Sequence, residues 1–168
     1  MENSFQQSLL KVCTILNKHR VEYLVVGGTA VALYGFYRMS ITSLGTPADK
    51  PDLDFWYNPT YKNYFNLLNA IEDLGENVSA FRREKTPNPG KSFFKLNFDE
   101  FTIDFLPELP GLSKFRYSFK KKEELEVDGV AIYFINFDDL ITNKLSMSRE
   151  KDLTDLEALK RIHNNDSK

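Results

Sequence analysis

The chain carries a single cysteine, Cys13, and two histidines, His19 and His163, among 168 residues. One cysteine excludes an internal disulfide and a cysteine-built zinc site, and two histidines are too few for a histidine-based metal cluster. Cys13 falls on the apolar face of a helical pattern and reads as core filler. No apolar run is long enough to span a bilayer, and no charged-then-apolar leader opens the sequence, so the expectation is a cytoplasmic protein without a membrane partner. An excess of one charge is also missing. A formal net charge of −2 excludes general attraction to nucleic acid across the whole surface and leaves only local basic patches. What is present is ordinary for a globular chain, 42% hydrophobic and 27% charged, with an aromatic content of 14% that favours a packed sheet. One domain spanning 1–168 is expected.

Periodicity divides the chain into alternating elements. Phe5, Leu9, Val12, Cys13 and Leu16 recur at helical spacing over 3–18. Tyr23 to Val26 reads as a short buried strand ending at Gly27-Gly28, and Thr29 to Tyr37 returns to helical spacing. Residues 39–51, polar and holding Gly45, Pro47 and Pro51, read as a loop before strand-like 52–57. Asn58-Pro59-Thr60 opens a helix that stops at Gly75. The runs 92–98 and 101–106 read as a hairpin, 107–123 as irregular, and 124–127 with 130–135 as a second hairpin about Asp128-Gly129. Two helices, about 137–146 and 149–163, close the pattern. The expected architecture is α/β (α+β), a mixed β-sheet flanked by helices with a C-terminal helical stretch.

Within that frame the acids stand out. Asp52 and Asp54 in PDLDFWY share one side of a strand, because side chains two apart point the same way. Asp104 in EFTIDFLPELPG opposes the apolar face made by Phe101, Ile103 and Phe105. Three carboxylates brought together repel unless a cation sits among them, and hard oxygen ligands of this kind suit Mg²⁺ or Mn²⁺ completed by waters and substrate phosphates. The Gly27-Gly28-Thr29 turn has two readings. It either serves tight geometry alone, or exposes backbone N–H groups where a phosphate sits. It is neither a P-loop nor a dinucleotide fingerprint.

VVGGTAVALYGFYR, PDLDFWYNPT, FTIDFLPELPGL and FDDLITNKLSMSREKDLTDLEAL, in that order, resemble a small bacterial nucleotidyltransferase of the DNA polymerase beta-like superfamily, near its minimal and abortive-infection toxin-type members. The resemblance covers roughly residues 20–162, with the motif core at about 20–106 and the C-terminal helices at about 137–163. It implies a metal-dependent enzyme that moves a nucleoside monophosphate from a nucleoside triphosphate such as ATP to an acceptor: RNA, protein or a small molecule. By the same resemblance Gly27, Gly28 and Thr29 bind phosphates, and Asp52, Asp54 and Asp104 hold up to two metal ions. A toxin-type role would add an antitoxin protein as partner. The connection from Thr29 to Pro51 is longer than is usual in the family, either shaping the acceptor pocket or forming a surface insertion.

The cations each have two readings. Arg38 either turns toward the phosphates or caps a solvated helix end. Lys144 and Lys151 face the nucleotide in the resembled family, whereas Lys151 with Asp155 also has the spacing of a helix-surface pair. Residues 114–122, rich in lysine with interleaved aromatics, read either as an RNA-tracking stretch or as a solvated edge strand. The reading from a different class is a non-catalytic module of the same fold that binds a nucleotide or RNA.

Overall fold

In the computed structural model, which describes residues 2–35 and 50–168, the chain opens with helix α1 (Glu2–Lys18) and strand β1 (Tyr23–Val25). Helix α2 (Gly27–Leu33) starts one residue after that strand. Strand β2 (Asp52–Tyr57) leads into helix α3 (Tyr61–Asp73), whose first turn is capped by the Thr60 hydroxyl accepting from the Asn63 amide. A short helix α4 (Ser79–Arg82) precedes strands β3 (Phe94–Asn97) and β4 (Thr102–Leu106). Helix α5 (Phe115–Lys120) comes next, then strands β5 (Glu123–Val127) and β6 (Val130–Phe134), and last helices α6 (Phe137–Met147) and α7 (Glu150–Asp166). Asn136 caps α6 through its side chain, and Asp152 closes the first turn of α7 by accepting from the Arg149 amide at 3.1 Å. Among the described residues, no helix is long and apolar enough to cross a membrane.

The strands form one mixed sheet in the order β3-β4-β2-β1-β6-β5. β1 runs antiparallel to β2 and parallel to β6, while β2 and β4 are parallel. Alternation then assigns the two faces. Leu53, Phe55, Ile103 and Phe105 are fully buried on one of them, where Tyr23 meets Phe55 edge-on at 5.7 Å and Tyr57 joins Phe94. That face is covered by α1, which supplies Leu9, Val12, Cys13 and Leu16, and by α3, which supplies Tyr64, Leu67, Leu68 and Ile71. On the opposite face Trp56 packs edge-on against Phe115 of α5 at 5.3 Å, and α2 lies on β2 beside α6 and α7. The acids of β2 and β4 belong to this second face.

One stretch differs from the sequence expectation. Residues 115–120 are helical where 107–123 read as irregular. Phe115 and Phe119 stack at 5.1 Å as successive turns of α5, an i,i+4 pair within a segment too short to show its period. The lysine-rich stretch is therefore not an edge strand. The edges are β3 and β5, and β5 carries Glu123, Glu124 and Glu126. Arg38 and the segment around residues 43–49 lie outside the described residues.

Candidate functional site

Pairing of two parallel strands decides where the acids meet. Asp54 and Asp104 are register partners across β2 and β4, and Asp52 stands opposite Thr102, whose hydroxyl donates to the Asp52 carboxylate. On the far side of β4, Lys95 of β3 is the register partner of Asp104. All four side chains thus project from one face, and all four line one cavity of about 490 Å³. Gly27, Gly28 and Thr29 line it from the start of α2, and Lys144, Arg149 and Lys151 from the α6–α7 side. Sequence spacing anticipated the shared side of Asp52 and Asp54, and the β2–β4 pairing brings Asp104 onto it.

The three acids do not close into a finished ligand set. Among the described residues, no group of three or more His, Cys, Asp or Glu side chains stands close enough to hold a metal ion. The expectation of one tight carboxylate cluster is corrected to a shared face and a shared cavity. Residues two apart on β2 stand two rises apart along the strand, and the Asp52 carboxylate accepts from the Thr102 hydroxyl.

Electrostatic strain remains in this arrangement. Burial, then the charges of Asp104 and Asp52, push the Asp54 carboxyl up to about 6, against the opposing pull of Lys144 and Lys151. The Asp104 carboxyl is also raised, by burial and by Asp52, with Lys95 and Lys151 pulling the other way. A cation in the cavity would relieve both shifts. Mg²⁺ commonly takes only one or two protein carboxylates and fills its shell with waters and phosphate oxygens, so Asp54 and Asp104 are the residues that would hold one here.

The glycine turn is shaped around Asp54. Gly27 has φ +61, and a Cβ added there would stand 2.7 Å from the Asp54 Oδ2 oxygen. Glycine is required at this position twice over, for the left-handed backbone and for the room its missing side chain leaves.

The cations sort into distinct states. Lys144 reaches the cavity wall but is 2% exposed, and its Nζ donates to Asp152 at 3.1 Å and to Asp155 at 2.8 Å. Arg149 adds a second cation on Asp152, with Nε donating at 2.7 Å. Asp155 is therefore engaged by Lys144, and the helix-surface pair with Lys151 is not the arrangement seen. Lys151 is exposed, and its charge acts on both Asp54 and Asp104. Lys50, at the cavity's opposite margin, donates to the Phe98 carbonyl at 2.7 Å. Lys95 was missed in the sequence. Counting outward from the Asp99-Glu100 turn would have set it across from Asp104.

No family model matches the sequence, and no curated protein matches it. Among solved structures the chain is similar to an antigenic nucleotidyltransferase-like protein from Paracoccidioides brasiliensis, at 11% identity and a TM-score of 0.49. The similarity covers 94% of this chain and 75% of that one. At this distance it assigns no residue and no activity.

Proposed function

We propose that the protein is a metal-dependent nucleotidyltransferase, transferring a nucleoside monophosphate from a nucleoside triphosphate to a hydroxyl of an acceptor and releasing pyrophosphate. The observation that carries this reading is the pairing of Asp54 with Asp104, with Asp52 on the same face, in a cavity that also holds a glycine turn and an exposed lysine. Mg²⁺ or Mn²⁺, bound by Asp54 and Asp104 with Asp52 nearby, would lower the charge on the α-phosphate and favour in-line displacement. Asp104 accepts the proton of the acceptor hydroxyl as its oxygen bonds to the α-phosphorus. The bond from that phosphorus to the bridging oxygen of the β-phosphate breaks, and the electron pair leaves with pyrophosphate. Gly28 and Lys151 face the departing phosphates. Lys144, already held by two aspartates, fixes the α6–α7 wall. Little covalent work falls to the protein, so positioning and charge supply most of the acceleration.

The test is incubation of the purified protein with each labelled triphosphate, Mg²⁺ and a cell extract. Label on RNA, protein or a small molecule establishes transfer and names the acceptor class, and Asp54→Asn abolishes it. The rival reading is a module of the same fold that binds a nucleotide or RNA without turnover. Calorimetric binding of triphosphate, with no label moved and no phosphate released, would decide for that rival. A toxin-type role with an antitoxin partner extends the proposal, with growth arrest on expression that the Asp54→Asn variant relieves.

A further inference from the structure

Thr29 is buried, 2% exposed, and its hydroxyl is used in both directions. Its Oγ1 donates to the Asp52 carbonyl at 3.3 Å and accepts from the Asp54 amide at 3.1 Å. The Asp54 carbonyl is in turn held by the Val26 amide at 3.0 Å. Gly27, two residues before Thr29, lies under the Asp54 carboxylate with no space for a Cβ. Val26, Gly27 and Thr29 therefore grip β2 on both sides of Leu53, and they grip it at the two positions that carry acids.

A threonine that only filled space would not need its oxygen. Here the oxygen supplies the acceptor for a main-chain N–H that would otherwise lose its partner, and leaving a buried donor unpaired is costly. The same oxygen spans from Asp52 to Asp54, so it fixes the backbone from which both carboxylates are aimed. With its single O–H already donated to the Asp52 carbonyl, the hydroxyl has no donor left to offer a phosphate. We infer that Thr29 is a positioning residue whose hydroxyl clips the turn at α2 to β2, setting the aim of Asp52 and Asp54, and not a phosphate ligand. This rests on the metal-centre reading above. Partners that orient metal-binding groups from behind are worth about 10- to 100-fold in metal affinity or activity.

The experiment compares Thr29→Val, Thr29→Ala and Thr29→Ser with the wild type, all confirmed as folded by their melting curves. Mn²⁺ alone is the probe, followed by loss of the free-ion paramagnetic signal. Exchange of the Asp54 amide is read separately on the metal-free protein. The expected result is about 10- to 100-fold weaker Mn²⁺ binding and faster Asp54 exchange in Thr29→Val and Thr29→Ala, with both restored in Thr29→Ser. Should Thr29→Val fail to fold, the alanine and serine pair carries the comparison. Unchanged Mn²⁺ affinity and unchanged Asp54 exchange in the hydroxyl-free variants overturn the inference. So does loss of metal-free triphosphate binding with Mn²⁺ affinity intact, which would make Thr29 a phosphate ligand. A wild type that takes up no Mn²⁺ defeats the metal-centre reading itself, and the Asp54 amide then still decides whether the hydroxyl holds the strand.

Discussion

Asp54 sits where folding and chemistry make opposite demands. In the unfolded chain an aspartate loses its proton near 3.8, whereas in the fold Asp54 keeps its proton up to about 6. Between those values the folded state binds the extra proton, so this residue's contribution to stability falls as pH rises through the window and stays low above it. Asp54→Asn removes the conflict. The metal-free variant should be more stable than wild type at pH 7 by on the order of 1–3 kcal/mol, with the difference vanishing below pH 4. Paired thermal melts of the two proteins from pH 4 to 8 test this, and equal stability at pH 7 contradicts it. Gly27→Ala strikes the same carboxylate from the other side. With φ +61 and a Cβ only 2.7 Å from Oδ2, it should cost about 1–3 kcal/mol in chemical denaturation and weaken Mn²⁺ binding. A silent Gly27→Ala would mean the turn relaxes freely away from Asp54.

Helices α6 and α7 meet through charges that are out of water. Lys144 lies between Asp152 and Asp155, with their side chains 3%, 0% and 0% exposed, and Arg149 approaches Asp152 from the surface. Burial alone would raise the Asp152 carboxyl. The bonds from Arg149 and Lys144 outweigh burial and hold it at about 2, below the 3.8 of an unfolded aspartate. The stability this supplies is present above pH 3.8 and is lost as pH falls toward 2. Lys144→Met should cost about 3–5 kcal/mol in denaturant unfolding, because it strands buried carboxylates. Adding Asp155→Asn to that variant should recover part of the loss, since neighbouring sites do not add independently. Full additivity of the two changes would show that Lys144 and Asp155 act separately.

At the scale of the whole molecule, the sequence spoke most clearly where one periodicity ran unbroken. The 3.6-residue spacing of Leu9, Val12, Cys13 and Leu16 gave α1, and the Asp128-Gly129 pair, observed with φ 50 and φ 77, gave the β5–β6 turn. The shared face of Asp52 and Asp54 follows from strand geometry alone. Which strands are neighbours does not. The β2–β4 pairing that sets Asp54 beside Asp104 joins elements far apart in sequence, and no local spacing encodes it. The burial of Lys144 was hidden for the same reason, since its partners lie on the next helix and only the packing of α6 on α7 removes them from water.

Strand β5 ends the sheet with four of its five residues exposed, Glu123 to Glu126, and its backbone borders solvent along one side. A naked strand margin is a template onto which another chain can add, and glutamates pointing outward from both faces act as an electrostatic fence against a second copy of the same margin. Replacing Glu124 and Glu126 with valine would take the fence down while improving the strand's intrinsic fit to a sheet. Such a variant should show a concentration-dependent rise in sedimentation coefficient that the wild type lacks. On this view the acidic strand, remote from the cavity and without chemistry of its own, governs how the protein behaves in a crowd of its own kind.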